Sequence, residues 1–238
     1  TLAAHVRGRL AAMPPQTRLI ADHFKLGAEL GFALDLPDIA VLEHPLNQHH
    51  GRARQLAIWG LTQASADASG WRLLVVGTRD IKLSARLRHY QSLCARLGAL
   101  PTPEVVEIDH GARRFLLFAL APGRADGACI TPAIAHVDAP GQGSTVDRRF
   151  EVRGWAVKDR AGIERVVLLL DGEPLQQLDY GIADAWVNEF WRGRSHDPNL
   201  PRVRFGATIT VPDAVAPGRH VLGLELHGAD GSIERRSG

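Results

Sequence analysis

The sequence predicts a two-domain α+β protein: a small three-layer α/β domain followed by a β-sandwich. Three observations carry that expectation. Strand-length apolar runs alternate with helix-period patterns through the first half. Short β-branched runs broken by turn formers fill the second half. Between them lies Ala121-Pro122-Gly123-Arg124-Ala125-Asp126-Gly127, a turn-rich stretch whose signal repeats over Ala139-Pro140-Gly141-Gln142-Gly143-Ser144. The expected layout is an α/β domain over 1–123, a linker and first edge of the next domain over 124–147, and a sandwich over 148–238. Charge changes across the same boundary. Residues 1–123 carry 14 basic and 10 acidic groups, residues 124–238 carry 14 and 16.

In the α/β half, Arg18-Leu19-Ile20-Ala21 reads as a first strand. Asp22 or His23 starts a helix with Leu26, Leu30 and Leu34 on one face. Ile39–Leu42 is a second strand, and a polar loop follows from Glu43 to Gly51. A short helix then runs from Ala53 to Leu61 with Leu56, Ala57 and Leu61 inward. Arg72–Gly77 is the clearest strand, and Leu83–Leu97 is a helix with Leu83, Leu87, Tyr90, Cys94 and Leu97 on one stripe. Val105–Ile108 and Phe115–Phe118 form a hairpin around His110-Gly111. This alternation implies parallel central strands with an antiparallel edge. In the second half, strands are expected at Phe150–Val157, Val166–Leu170, Val203–Thr210, His220–Leu226 and Ile233–Arg235. Phe150 and Val152 alternate with Glu151 and Arg153 there, as a half-buried strand requires.

Composition narrows the function classes. The chain has 238 residues, 45% of them hydrophobic and 23% charged, which describes a folded protein with a sizeable core. Its net charge of +2, without a basic block or interleaved aromatic ladder, gives no nucleic-acid signature. Only three of 28 basic residues are Lys, a skew that makes any single Arg uninformative. No run reaches the roughly 18 apolar residues of a membrane span, and residues 1–10 lack a signal-peptide core. The chain begins at Thr1 and its one Met is Met13, so it is expected to be a piece of a longer protein. Cys94 and Cys129 are too few for a disulfide scaffold or a thiolate zinc site, and their spacing leaves pairing open. Cys94, inside a helical pattern, reads as a small buried hydrophobe.

Chemistry concentrates in the loop 43–52, which offers His44, Asn47, Gln48, His49, His50 and Arg52 after a strand end. Open α/β sheets bind ligands beyond the carboxyl ends of their strands, which brings this loop toward Asp22, His23 and Lys25. His44, His49 and Asp22 are imidazole and carboxylate groups suited to zinc, although their spacing matches no metal motif. Asp22, Glu43 and Asp80 are strand-end carboxylates suited to acid/base work; helix capping accounts for Asp22 equally well. Dinucleotide, P-loop, nucleophile-elbow and zinc-protease motifs are missing. In the second half, a long aromatic segment from Tyr180 to Pro201 presents Trp186, Phe190 and Trp191. These rings either stack on sugars or pin the loop to the core.

Two stretches carry family resemblances. Residues 19–34, with Asp22, Phe24, Ala28, Leu30, Gly31, Phe32 and Leu34, resemble a segment found after the last membrane helices of bacterial polytopic glycosyltransferases. These are the enzymes akin to protein mannosyltransferases and aminoarabinose transferases. Ile39–Glu43, Asn47–Arg54, Gln55-Leu56-Ala57-Ile58-Trp59 and the strands at Leu73–Gly77 and Phe115–Phe118 continue that layout. Residues 148–231 resemble an immunoglobulin-like module appended to bacterial membrane proteins. The matching pieces are Gly154-Trp155-Ala156, Gly162-Ile163, Val167, Leu170-Asp171-Gly172, Tyr180-Gly181 and Ala216-Pro217-Gly218-Arg219-His220.

The first resemblance implies an enzyme that transfers sugar from a polyprenyl-phosphate donor on the outer side of the membrane. Its catalytic carboxylate lies in an early loop between membrane helices, outside this chain, so no catalytic residue is carried over. The chain is then expected to be a non-catalytic periplasmic region that shapes acceptor or glycan recognition. Its partners are the membrane-embedded part of the same polypeptide and a glycan or polyprenyl-phosphate sugar, and it needs no cofactor. Asp22, His23, Lys25, His44, Asn47, His49, Arg52, Arg54 and Trp59 are the expected binding surface. Two alternatives stand beside it. One is a free-standing carbohydrate-binding or adhesion protein using Trp186, Phe190 and Trp191. The other is a small hydrolase or metal-dependent enzyme using the strand-end carboxylates and histidines.

Overall fold

A computed structural model describes residues 1–63, 68–78, 81–109 and 111–237. It is a mixed α/β structure with two sheets, in which strand outweighs helix. The chain divides into two compact units, one comprising Thr1–Lys82 and Gln91–Cys129, the other Leu83–Tyr90 and Ile130–Gly238.

The elements up to residue 129 are α1 (Leu2–Ala11), β1 (Arg18–Ala21), α2 (Phe24–Leu34), β2 (Ala40–Val41), α3 (Pro45–His49), α4 (Ala53–Ile58), β3 (Arg72–Gly77), α5 (Leu83–Leu97), β4 (Glu104–Ile108) and β5 (Arg113–Leu120), and all but the first part of α5 belong to the first unit. Sheet order is β2-β1-β3-β5-β4, with β1 parallel to β2 and β3, and β5 antiparallel to β3 and β4. These are the directions expected of parallel strands with an antiparallel edge. On one face, Leu19, Ala21, Leu73, Val75 and Leu117 share a core with Leu2 and Val6 of α1 and Leu26 and Leu30 of α2. On the other, Ile20, Leu74 and Phe118 stand in one register row and are fully buried. Both faces being covered explains why β3 reads as a continuous apolar run.

Two expectations change here. The polar loop after β2 is largely helical: His44 caps α3 with its side chain, and Pro45 fills the first turn, where a missing N–H costs nothing. The following helix, α4, stops at Ile58 instead of Leu61, and Ala57 is exposed rather than inward. Leu61 and Gln63 instead bond the outer edge of β2, through Val41 N–H to Leu61 O at 2.7 Å and Gln63 N–H to Val41 O at 2.8 Å. Helix α1 was not legible, because its two buried residues, Leu2 and Val6, leave most of the helix polar or small. The expected hairpin is formed by β4 and β5, and His110 of its turn lies outside the described residues.

The second unit contains β6 (Ile134–Ala139), β7 (Arg149–Val157), β8 (Ile163–Leu170), β9 (Glu173–Ile182), α6 (Ala185–Trp191), β10 (Arg204–Thr210), β11 (Leu222–Gly228) and β12 (Ile233–Ser237). Its strand order is β12-β11-β8-β9-β10-β7-β6, all antiparallel. Strand β9 pairs with β8 through Leu178 and with β10 from Asp179 onward, joining the two halves of the sheet. Val152, Val166, Leu168, Phe205, Ile209, Leu224 and Leu226, from both halves, meet in one core. Sequence reading missed β9 because nearly all its residues are polar or exposed. It also took the helix α6 for loop.

Buried charge organises this unit. Lys158 Nζ lies 2.6 Å from Glu234 Oε1 and 3.5 Å from Asp230 Oδ2. Both Glu234 oxygens accept the Ala133 N–H at 3.1 Å, and Arg236 donates to the Ala133 carbonyl at 2.6 Å. The last strand is thereby tied to the residues that open the unit. The matching pieces of the second resemblance are structural in the same way. Asn199 Oδ1 accepts the Ile163 N–H at 2.7 Å, and Gly162, at φ +78°, faces that oxygen so closely that a Cβ would sit 2.4 Å from it. Tyr180 donates its hydroxyl to the Ala156 carbonyl at 3.0 Å, and burial pushes its phenol well above the usual range.

The segment after β5 is held down. Buried Arg72 donates to the carbonyls of Ala121 at 2.9 Å and Gly123 at 2.8 Å. Ala99 N–H bonds Ala125 O at 3.0 Å, and Gly98, at φ +92°, allows that approach because a Cβ there would lie 2.6 Å from the same oxygen. Cys94 and Cys129 then close a disulfide across a separation of 35 residues, a pairing that their spacing in the sequence leaves open. Constraining a loop of this size in the unfolded chain stabilises the native state by about 2–4 kcal/mol. Reduction, or Cys94→Ser with Cys129→Ser, is expected to lower the stability measured by urea unfolding by that amount. Coincident unfolding curves for oxidised and reduced protein would contradict the bridge.

Candidate functional site

The carboxyl ends of β1 and β2 lie side by side and deliver Asp22, His23, Glu43 and His44 to one place. Of these, Asp22 and His23 are almost fully buried, His44 is 7% exposed and Glu43 is exposed. Each histidine is a helix cap. His23 Nδ1 accepts the Leu26 N–H at 3.4 Å and His44 Nδ1 accepts the Leu46 N–H at 3.1 Å. Accepting at Nδ1 leaves the proton of each neutral ring on Nε2. His44 Nε2 stands 4.0 Å from Asp22 Oδ2, and the two imidazoles are 5.3 Å apart between centroids.

Asn47 locks this knot. Its Oδ1 accepts the Phe24 N–H at 2.9 Å, and its Nδ2 donates to the Leu42 carbonyl at 2.8 Å. One buried amide therefore joins the turn that starts α2 to the turn that starts α3. The expected binding residues Asp22, His23, His44 and Asn47 are thus inside the fold, and the visible work of the histidines and the amide is to set two helix starts.

The remaining expected residues are exposed, and Lys25, His49 and Arg52 make a rim about His50. Lys25 lies in the first turn of α2, His49 closes α3, Arg52 precedes α4 without a side-chain bond to the helix backbone, and Arg54 and Trp59 sit farther along the same excursion. Arg52 donates to Gln55 Oε1 at 2.7 Å. The histidine that sequence reading left out of its binding surface, His50, sits between them. Its ring is 5.0 Å from His49 and 5.5 Å from Phe24. Desolvation, and then the charges of Lys25, His49 and Arg52, hold the His50 imidazole below its ordinary value. The chemistry available is anion recognition: the Lys25 and Arg52 charges act on His50, and past the exposed Glu43 no carboxylate interrupts residues 44–66.

The other expected arrangements fare differently. Asp22, His44 and His49 do not gather their ligand atoms within 4.8 Å of one another among the described residues, because His49 is exposed while the other two are buried. In the carboxylate trio, Asp22 is buried, Glu43 is exposed, and Asp80 lies outside the described residues. Among the three aromatic residues, Trp191 is fully buried, edge-on to Trp155 at 5.8 Å and Phe190 at 5.1 Å, so it presents no face to a sugar. Trp186 is 68% exposed and stacks on Phe190 at 5.8 Å. This contrast comes from α6, which places Val187 and Trp191 four residues apart on the inward face.

No family model matches the chain, and no curated protein matches it. Among solved structures, fibronectin(III)-like modules of Clostridium thermocellum CbhA align at 14% identity and a TM-score of 0.31, covering 56% of each chain. An engineered protein aligns at 12% identity and a TM-score of 0.24, covering 49% of this chain and 21% of the other. Likenesses of this size carry no argument about fold or function.

The two bonds of Asn47 give a stability test. Asn47→Ala leaves a backbone donor and a buried carbonyl without partners, and is expected to cost about 2–4 kcal/mol in urea unfolding. A loss below about 0.5 kcal/mol, the size ordinary for a surface residue, would return Asn47 to the set of ligand-facing side chains.

Proposed function

We propose that this chain is a non-catalytic, extracytoplasmic region of a bacterial membrane glycosyltransferase that uses a polyprenyl-phosphate-linked sugar donor. Its first unit presents an anion- or glycan-facing surface, and its second unit is an immunoglobulin-like sandwich that carries no chemistry of its own. The observation behind this reading is the basic rim in which Lys25 and Arg52 bring charge to His49 and His50, beside strand ends fixed by buried caps and by Asn47. His49, His50 and Arg52 lie in the Asn47–Trp59 stretch, and Lys25 in the 19–34 stretch, that resemble those enzymes. The Cys94–Cys129 bridge agrees with an oxidising compartment such as the periplasm. No helix among the described residues is long and apolar enough to cross a membrane, so the reading places the membrane helices elsewhere in a longer polypeptide.

An antibody against this chain, used on fractionated cells, tests the reading. A membrane-fraction band far heavier than 238 residues is expected, and Arg52→Ala in that protein should slow sugar transfer several-fold without changing its melting temperature. A soluble band of the chain's own size, or unchanged transfer, would overturn it.

A second reading, a carbohydrate-binding or adhesion module, rests on the exposed face of Trp186 stacked over Phe190, with Arg194 5.1 Å above the Phe190 ring. Aromatic faces of this kind pair with the C–H faces of sugars.

A further inference from the structure

The excursion between β2 and its returning edge carries a feature that anion recognition does not use. Ile58 and Trp59, adjacent at the end of α4, are 73% and 59% exposed. Scattered apolar side chains are ordinary on a protein surface, but these two are flanked by exposed Arg52 and Arg54. Helical spacing puts Arg54 and Ile58 on one outward stripe, opposite the buried Leu56, and places Trp59 beside Gln55, the partner of Arg52. Both ends of the excursion are fixed, by Asn47 at the start and by the 61–63 pairing with β2 at the end.

We propose that this face docks on an anionic lipid surface, with Ile58 and Trp59 entering the headgroup region and Arg52 and Arg54 meeting lipid phosphates. Charge complementarity decides the partner. Trp with neighbouring Arg is the side-chain chemistry of a membrane–water interface, and the absence of acidic residues from 44 to 66 removes repulsion from a negative surface. The other exposed apolar pair of this unit, Phe32 and Leu36, makes the contrast. It is set beside exposed Asp35 and Asp38, which an anionic surface repels, while the nearby Glu29 is paired with Arg113. The inference deepens the membrane reading above by giving the same surface a lipid partner, but its test uses the 238-residue chain alone and does not depend on sugar transfer.

The experiment is flotation of the chain with phosphatidylglycerol-containing vesicles and with pure phosphatidylcholine vesicles. Binding to the anionic vesicles is expected, with little to the neutral ones. Each lost arginine should weaken it roughly fivefold, so Arg52→Gln with Arg54→Gln should remove most of it. Ile58→Ser with Trp59→Ser should do the same, while Phe32→Ser leaves it unchanged. Should a variant fail to fold, the unmodified chain still decides, because about 0.5 M salt should release it from the vesicles. Equal affinity for both vesicle types, no flotation, or flotation insensitive to both double variants would overturn the proposal. So would concentration-dependent dimerisation lost in Trp59→Ser, which assigns the face to a second copy of the chain. Vesicle binding by a protein that proves soluble and of its own size in cells would leave this inference standing and remove the glycosyltransferase reading.

Discussion

The organisation of the first unit's polar end depends on one buried amide. Strand β2 is only two residues long and sits at the sheet edge, too short to position the helices beyond it. Asn47 supplies the missing anchor by accepting from the start of α2 and donating to the end of the strand segment that leads into α3. His23 and His44 extend the same solution, each satisfying a helix-start N–H that would otherwise be orphaned. With the turns fixed, the cations of the rim are set close together on helix ends instead of being spread along a flexible loop. Desolvation first, and the neighbouring charges second, lower the pKa of His50 in this setting.

A different constraint governs the other unit. Lys158, Glu234 and Arg236 are buried charges that pair with each other and with the Ala133 backbone. Such groups add little net stability, yet removing any one leaves an uncompensated charge. Their effect is to fix which strand end meets which. The disulfide and the Arg72 bonds do the equivalent task for residues 121–129, so the stretch that composition marks as a linker is pinned to the first unit.

Legibility in the sequence tracked the hydrophobic signal. Strand β3 and helix α5 have the bounds that the sequence predicts, because a run of six buried residues and a five-residue stripe are strong patterns. Strand β9 escapes notice because its partners, rather than its side chains, make it a strand. At the candidate site, residue types do not separate buried side chains from exposed ones. His23, His44 and Asn47 look like ligand-facing groups by residue type and prove to be caps and a clamp, a distinction set by helix starts that short, polar segments do not announce. His50 and Ile58 are named in the sequence but left out of the expected binding surface for the opposite reason: what sets them apart is the exposed neighbours around them. Trp191 is separable from Trp186 by sequence, since helical spacing from Val187 puts it on the inward face.

The central claim is that the cationic rim is where a phosphate-bearing ligand binds. The most direct measurement is an amide and indole NMR titration of the chain with a short-chain prenyl phosphate. The expected result is a set of shifts confined to residues 24–25 and 47–59, together with a rise in the titration point of the His50 ring as the anion relieves its cationic surroundings. Shifts at the Trp186 indole with a sugar ligand, and none at the rim with the phosphate, would contradict the claim and move the function to the second unit.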